Sequence, residues 1–199
     1  MFITFEGTEG AGKSTQIKLL CGYLRSRKKR VLQTVEPGGT GLGAEIRDLL
    51  LHTRHPATPQ TETLLYMASR AQLAEEVLRP ALKARKVVIC DRWLDATVAY
   101  QGYGSGVDVK WIERLGRDIT RGLVPDLTFF LDLPVKTGLQ RARKRGKPDR
   151  IESRAETFHQ RVYKGYCALA RRHRRFRCIP VTTVEETQAL IRRHVDRVL

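Results

Sequence analysis

Five short runs along the chain carry the pattern of strands. FITFE (2–6) is rich in β-forming residues, and VLQTV (31–35) is a second such run. VVIC (87–90) and DLTFFLDL (126–133) are apolar on both alternating sets, as strands buried on both faces of a parallel sheet are. RCIPV (177–181) reads as the last strand, and its proline demotes it to an edge or a strand end. Between these runs the period changes to that of a helix. Helices are predicted over Lys13 to about Arg27, Ala44 to Leu51, Gln60 to Ala84, 108–121, 152–174 and 185–198. In the longest, Leu64, Leu65, Ala68, Ala71 and Leu78 recur close to helical spacing. Strands alternating with helices predict a three-layer α/β/α fold on a five-stranded parallel sheet. With 199 residues, and with no repeat or linker, a single domain is expected.

Composition changes this picture little, but charge changes it a good deal. Hydrophobic content is 41%, ordinary for a globular domain. No apolar run approaches the ~20 residues that span a membrane. The N-terminus enters a strand at once and lacks a basic leader, so no signal peptide is expected. Cys21, Cys90, Cys167 and Cys178 form no C-x-x-C pair, and they read as buried free thiols suited to a reducing cytoplasm. Lys and Arg total 37 against 21 Asp and Glu, a net +16, which favours anionic partners, either nucleic acid or small phosphorylated molecules. The runs at 25–30 and 171–177 read as solvated helix ends or faces, whereas RARKRGKPDR (141–150) packs six cations into ten positions. Asparagine is absent, which excludes both N-glycosylation and the N-K-x-D signature that reads guanine.

Residues 7–15, GTEGAGKST, fit G-x-x-x-x-G-K-[ST] between a predicted strand and a predicted helix. Gly7, Gly10 and Gly12 let the backbone curl so that several N–H groups, with Ala11 among the ATP-binding positions, point inward at a helix N-terminus, which makes an anion site. Lys13 adds a charge for the β- and γ-phosphates of ATP, Ser14 a hydroxyl for Mg²⁺, and Thr15 completes the cradle. The GYGSG at 102–106 lacks a preceding strand and reads as a flexible loop. VVICDRW ends a buried strand with Asp91 and Arg92. The carboxyl ends of parallel strands are where ligands sit, so Asp91 is placed to hold the metal and Arg92 to meet a transferred phosphate.

Here the chain resembles a known family. DRW-x-DAT-x-AYQG (91–102) is similar to the DRY-x-DSS-x-AYQG segment of thymidylate kinases. EPGGT (36–40), EIRDLLL (45–51), LLYMASRAQ (64–72), PDLTFFLD (125–132) and DRIE (149–152) resemble that family's motifs in the same order. The resemblance implies a P-loop nucleoside monophosphate kinase that phosphorylates dTMP from ATP with Mg²⁺, and a homodimer. It also implies roles. Glu9 would take the sugar 3′-OH of dTMP, Tyr66 would stack on thymine and Arg70 would donate to thymine O4. Thr97 and Gln101 would lie at the base edge, and Tyr100 would crowd the sugar 2′ position. Glu36 and Arg47 would surround the acceptor phosphate and its metal-bound water. Spacing of i, i+4 places Tyr66 and Arg70 on one helix face.

The basic run at about 141–150 then implies a lid that closes over ATP, with Gly146 and Pro148 as its hinge. The phosphate loop has no basic residue among its variable positions TEGA, and in the family that form takes an arginine from the lid. Arg145 is the first candidate, with Arg141 and Arg150 behind it. The five histidines read as structural or solvated. Val35, Ser69, Trp93, Ala96 and Pro180 depart from residues common in the family, which bears on turnover more than on identity. Adenine is expected near 179–183, held by backbone and stacking. The competing readings are a kinase for another nucleoside monophosphate and a basic nucleic-acid-binding protein. No helix-turn-helix, zinc-finger or RNA-recognition signature supports the latter.

Overall fold

In a computed structural model, which describes residues 1–146 and 148–199, five strands form one sheet. In chain order these are β1 (Phe2–Glu6), β2 (Val31–Val35), β3 (Val87–Asp91), β4 (Leu127–Asp132) and β5 (Phe176–Pro180). All pair in parallel, in the spatial order β2-β3-β1-β4-β5. The proline-bearing β5 lies at an edge, as Pro180 requires. β1 lies at the centre, and all five of its residues are buried.

The helices are α1 (Lys13–Ser26), α2 (Gly41–His52), α3 (Pro59–Leu73), α4 (Arg79–Lys83), α5 (Leu94–Thr97), α6 (Val109–Ile119), α7 (Val135–Arg143), α8 (Glu156–Arg172) and α9 (Val184–Asp196). Local chemistry sets several starts. Thr40 and Thr58 each accept a hydrogen bond from the backbone N–H three residues on, and Thr183 forms a reciprocal capping box with Glu186.

The alternating side chains of the strands divide the core. Ile3, Phe5, Phe129 and Leu131 pack with Ile17, Leu20 and Leu24 of α1 and Ile191 and Val195 of α9. Toward the other face, Phe130 packs with Val162 and Tyr166 of α8, Ile112 of α6 and Met67 of α3. The buried Thr4 and Thr128 on neighbouring strands satisfy each other at 2.9 Å.

Three features differ from the sequence expectation. The helix expected over 60–84 is broken by a π-helical turn at Ala74–Leu78, just ahead of Pro80. Proline cannot donate to the preceding turn and its ring crowds the carbonyl four residues back, so the wider turn admits it. The first three residues of GYGSG are helical and not loop, because Val98–Gly104 continues α5 as a π-helical segment, and only Ser105 and Gly106 lie beyond it. A Cβ on Gly104 would overlap the Phe158 ring, so this glycine serves close packing against α8. The four cysteines are free, but only Cys21 and Cys90 are buried; Cys167 is half-buried and Cys178 exposed.

The topology brings the ends of β1 and β3 together. Phe5 pairs with Asp91, so the loop after β1 and the residues after β3 leave the sheet side by side. α7 closes on the loop after β1 by backbone contact. A Cβ on Gly10 would overlap the carbonyl of Gly138, and one on Gly138 would overlap the carbonyl of Glu9. Gly10 and Gly12 also hold φ of 69° and 87°, which favour glycine.

Gly138→Ala is expected to cost about 1–3 kcal/mol in urea unfolding by overpacking this contact. Gly22→Ala, in α1 where a Cβ meets nothing within 4 Å, is expected to gain about 0.5–1 kcal/mol from helix propensity. Equal effects from the two substitutions would contradict this account of the packing.

Candidate active site

A cavity of about 560 Å³ opens above the carboxyl ends of β1 and β3. That is within the usual range for ligand pockets. Its floor is the glycine loop. Gly12 caps α1 in the left-handed conformation with no side-chain partner, which leaves the N-terminal N–H groups of α1 to a ligand. Lys13 Nζ donates to the carbonyl oxygens of Gly7 and Thr8, at 3.1 Å each.

Arg92 is the first residue beyond β3, and its φ is 70°, strained for a residue with a Cβ. Neighbours on every side hold it there. Its backbone N–H donates to Phe5, and the next N–H, from Trp93, donates to the buried carboxylate of Glu6 at 2.8 Å. Its guanidinium donates to the Gly7 carbonyl, to Tyr166 and Tyr100 hydroxyls at 3.1 Å and to Glu9 at 3.0 Å. The Tyr166 hydroxyl in turn donates to Glu6 at 2.9 Å. The Gly7 carbonyl thus takes donors from two cations.

These contacts set the charges. Burial pushes the Lys13 ammonium down, Arg92 adds to the effect, and Glu9, Asp91 and Glu6 oppose it; the result is about 8. Burial pushes Glu9 up, but Arg92, Lys13 and the hydrogen bond from Tyr100 at 2.5 Å outweigh it and hold the carboxyl at about 2. Burial, with Asp95 beside it, raises Glu6 to about 8 against the pull of Arg92 and Tyr166.

The structure gathers most of the residues singled out from the sequence. Glu9, Gly10, Ala11, Gly12, Lys13, Ser14 and Thr15 line the cavity, as do Glu36, Arg47, Tyr66, Asp91, Arg92, Thr97, Tyr100, Gln101, Arg141 and Arg145. Gly7 lies just beneath, through its carbonyl. Arg47 reaches back to the carbonyl of Pro37 at 2.9 Å.

Two arginines stand elsewhere. Arg70 is fully buried and does not line the cavity. It donates to Glu36 at 2.6 Å and Thr97 at 2.7 Å, both of which do line it. Arg150 also stays off the cavity, held by Glu62 at 2.5 Å and the Leu50 carbonyl at 2.8 Å. Arg145, at the cavity rim, is mostly exposed and pairs with Glu152 at 3.3 Å. The expected lid at about 141–150 comprises the end of α7, a turn over 144–146 and the residues from Pro148; Lys147 lies outside the described residues.

Part of the wall is the stretch expected near adenine, joined by Gln16, Val184 and Thr187, to which the sequence gave no role. Val181 to Val184 and Thr187 line the cavity next to Gln16 and Thr15, where the loop after β5 enters α9. The T-x-x-E pattern at 183–186 marks that helix start in the sequence. Leu51, Ile151, Asp149 and Glu152 complete the rim.

Oxygen donors fit for a divalent cation are present. Asp91 Oδ1 and Glu36 Oε1 are buried with no hydrogen-bond partner among the described residues, and the exposed Ser14 lines the same cavity.

Comparison with known proteins agrees with this arrangement. The family model described as thymidylate kinase matches residues 5–191. A thymidylate kinase from Gloeobacter violaceus is 51% identical over 98% of this chain and 94% of its own length. One from Deinococcus radiodurans is 46% identical over 94% of this chain and 91% of its own. The crystal structure of thymidylate kinase from Ehrlichia chaffeensis superposes with a TM-score of 0.82 at 32% identity, covering 98% of both chains. With a parallel sheet feeding a phosphate loop, an Asp-Arg pair beside it and relatives alike from end to end, the chain belongs to the thymidylate kinase family.

Proposed function

We propose that the chain transfers the γ-phosphoryl group of ATP to the 5′-phosphate of dTMP, yielding ADP and dTDP. One observation carries the reading most directly: Lys13 and Arg92 both donate to the single carbonyl of Gly7, so two cations converge at the cavity floor. Such a pair is short of negative charge, and bound phosphate groups supply it.

Each residue then takes a part. The glycine loop and the N-terminus of α1 hold the β- and γ-phosphates, with Lys13 as their countercharge. The loop around Val181–Val184 borders the adenosine end. Arg92, held rigid by Glu6, Tyr166, Tyr100 and Glu9, meets the acceptor phosphate in line with the donor. Rigid, preorganised donors of this kind stabilise the charge that spreads over the transferring group. Glu9 and Tyr100 border the sugar, and Tyr66, Thr97 and Gln101 surround the base. Arg70 acts from behind, fixing Glu36 and Thr97 where they meet ligand. Mg²⁺ would be held by Ser14 and, through water, by Asp91 and Glu36, and it would neutralise the phosphate oxygens.

The segment at about 141–150 forms a lid on an otherwise single domain, and Arg145 is its acting arginine. Arg145 needs only to leave an exposed pair with Glu152, whereas Arg150 is committed to the buried Glu62. Closure also excludes water from the transferring group. A homodimer suits the exposed Leu42 and Leu49 on α2 and Leu64 on α3. No described helix is long and apolar enough to cross a membrane, and the free thiols suit work in the cytoplasm.

In a coupled ATP/ADP assay across dTMP, dUMP, UMP, CMP and GMP, kcat/KM is expected to be highest for dTMP. Equal activity on GMP would overturn the thymine assignment. Arg145→Ala is expected to lower kcat on the order of 10²-fold with little change in KM for dTMP. Arg150→Ala should act mainly on stability, and the reverse ranking in kcat would refute the choice of Arg145. Because Lys13 in the free protein loses its proton near pH 8, kcat/KM for ATP is expected to fall as pH rises through that value. The fall should be absent from the profile of Lys13→Arg, since a guanidinium stays charged there. A wild-type profile flat from pH 7 to 9.5 would contradict it.

A further inference from the structure

Glu62 of α3 is fully buried and lies outside the cavity wall, yet three groups converge on it. Its Oε2 accepts from Arg150 at 2.5 Å and Arg154 at 2.8 Å. Its Oε1 accepts from Gln101 Nε2 at 2.8 Å. The two guanidinium groups supply countercharge from the end of the basic segment and the residues just after it, while Gln101 belongs to the π-helical segment at Val98–Gly104. Gln101 is 1% exposed and lines the cavity.

A side-chain amide has one donor end and one acceptor end. A carboxylate only accepts, so Glu62 compels the amide nitrogen of Gln101 to face it. The two arginines occupy the other carboxylate oxygen, so Glu62 cannot turn away without stranding a buried charge. Gln101 Oε1 is then the end left for the cavity that Gln101 lines. An acceptor at that point suits the N3–H of thymine, a donor between two carbonyls. It opposes cytosine, whose N3 is an acceptor beside an amino group.

We infer that Glu62 is a specificity-determining, positioning residue. By fixing the orientation of the Gln101 amide it makes the cavity accept a pyrimidine bearing N3–H and reject cytosine. This inference rests on the dTMP reading, in which Gln101 borders the base. It adds that the choice of base is enforced by a carboxylate that touches no ligand. The alternative is that Glu62 only pins Arg150 and Arg154 and so supports both substrates alike.

The two are separated by Glu62→Gln, which can present an amide nitrogen to Gln101 and let that side chain turn over. We measure kcat/KM for dTMP and dCMP in the unaltered protein, Glu62→Gln, Gln101→Leu and the double variant. Glu62→Gln is expected to lower the value for dTMP and to raise the dCMP-to-dTMP ratio about tenfold. In the Gln101→Leu background, where no amide remains to turn, Glu62→Gln should leave that ratio unchanged. A loss shared equally by both substrates in Glu62→Gln, or an unchanged ratio, would overturn the inference.

If Glu62→Gln fails to fold, the unaltered protein still gives an answer. Its ¹⁵N-labelled Gln101 side-chain amide, assigned by difference with Gln101→Leu, is expected to show slow exchange of one N–H, retained on adding dTMP. Rapid exchange of both, or loss of protection with dTMP, would overturn it. A wild-type protein inactive on dTMP would sink the substrate assignment instead, while the amide signal would still report the bond to Glu62.

Discussion

The cavity depends on a repulsion that the fold maintains. Lys13 and Arg92 are brought to the same carbonyl oxygen by two adjacent parallel strands, and neither can retreat. Lys13 is fixed by the helix it begins, and Arg92 by a backbone conformation it would not choose alone. Glu9 offsets part of this excess, and its carboxyl is held at about 2 because the two cations and the hydrogen bond from Tyr100 outweigh the opposing effect of burial. An acid inside a phosphate loop would otherwise repel a triphosphate. Here it offsets the arginine, together with the hydroxyl of Tyr100.

From that floor the remaining polar interior is arranged so that residues lining the cavity are each bonded to buried groups that do not line it. Arg92 is backed by Glu6 and Tyr166, Glu36 and Thr97 by Arg70, and Gln101 by Glu62. The backing groups are polar and fully buried, so each is satisfied only while its partner stays in place. Positional accuracy in the cavity and the stability of the domain are therefore carried by the same bonds.

The architecture and the composition of the cavity were largely legible in the sequence. Fully apolar runs between helical periods fixed the parallel sheet, and G-x-x-x-x-G-K-S fixed the loop. What stayed hidden depends on tertiary neighbours. The spacing of Tyr66 and Arg70 is right for one helix face, but it cannot say that Glu36, from a loop after a different strand, draws the guanidinium inward. Arg145 and Arg150 look alike in a basic run; only the buried Glu62 separates them. The π-helical segment at 98–104 is masked in the sequence because its glycines signal a loop, whereas here Gly102 admits Val109 of α6 and Gly104 the Phe158 ring of α8. Glu62 itself carried no signal, since its three partners come from two distant parts of the chain.

The meeting of Gly10 and Gly138 has a mechanical consequence. Two stretches of bare main chain touch there, one belonging to the glycine loop at the cavity floor and the other to the helix that leads into the basic segment. With no side chain between them to change rotamer, nothing cushions a displacement. A shift of a few tenths of an ångström at the root of that helix would be felt undiminished by the loop, and tightening of the loop would steer the root of the helix in return.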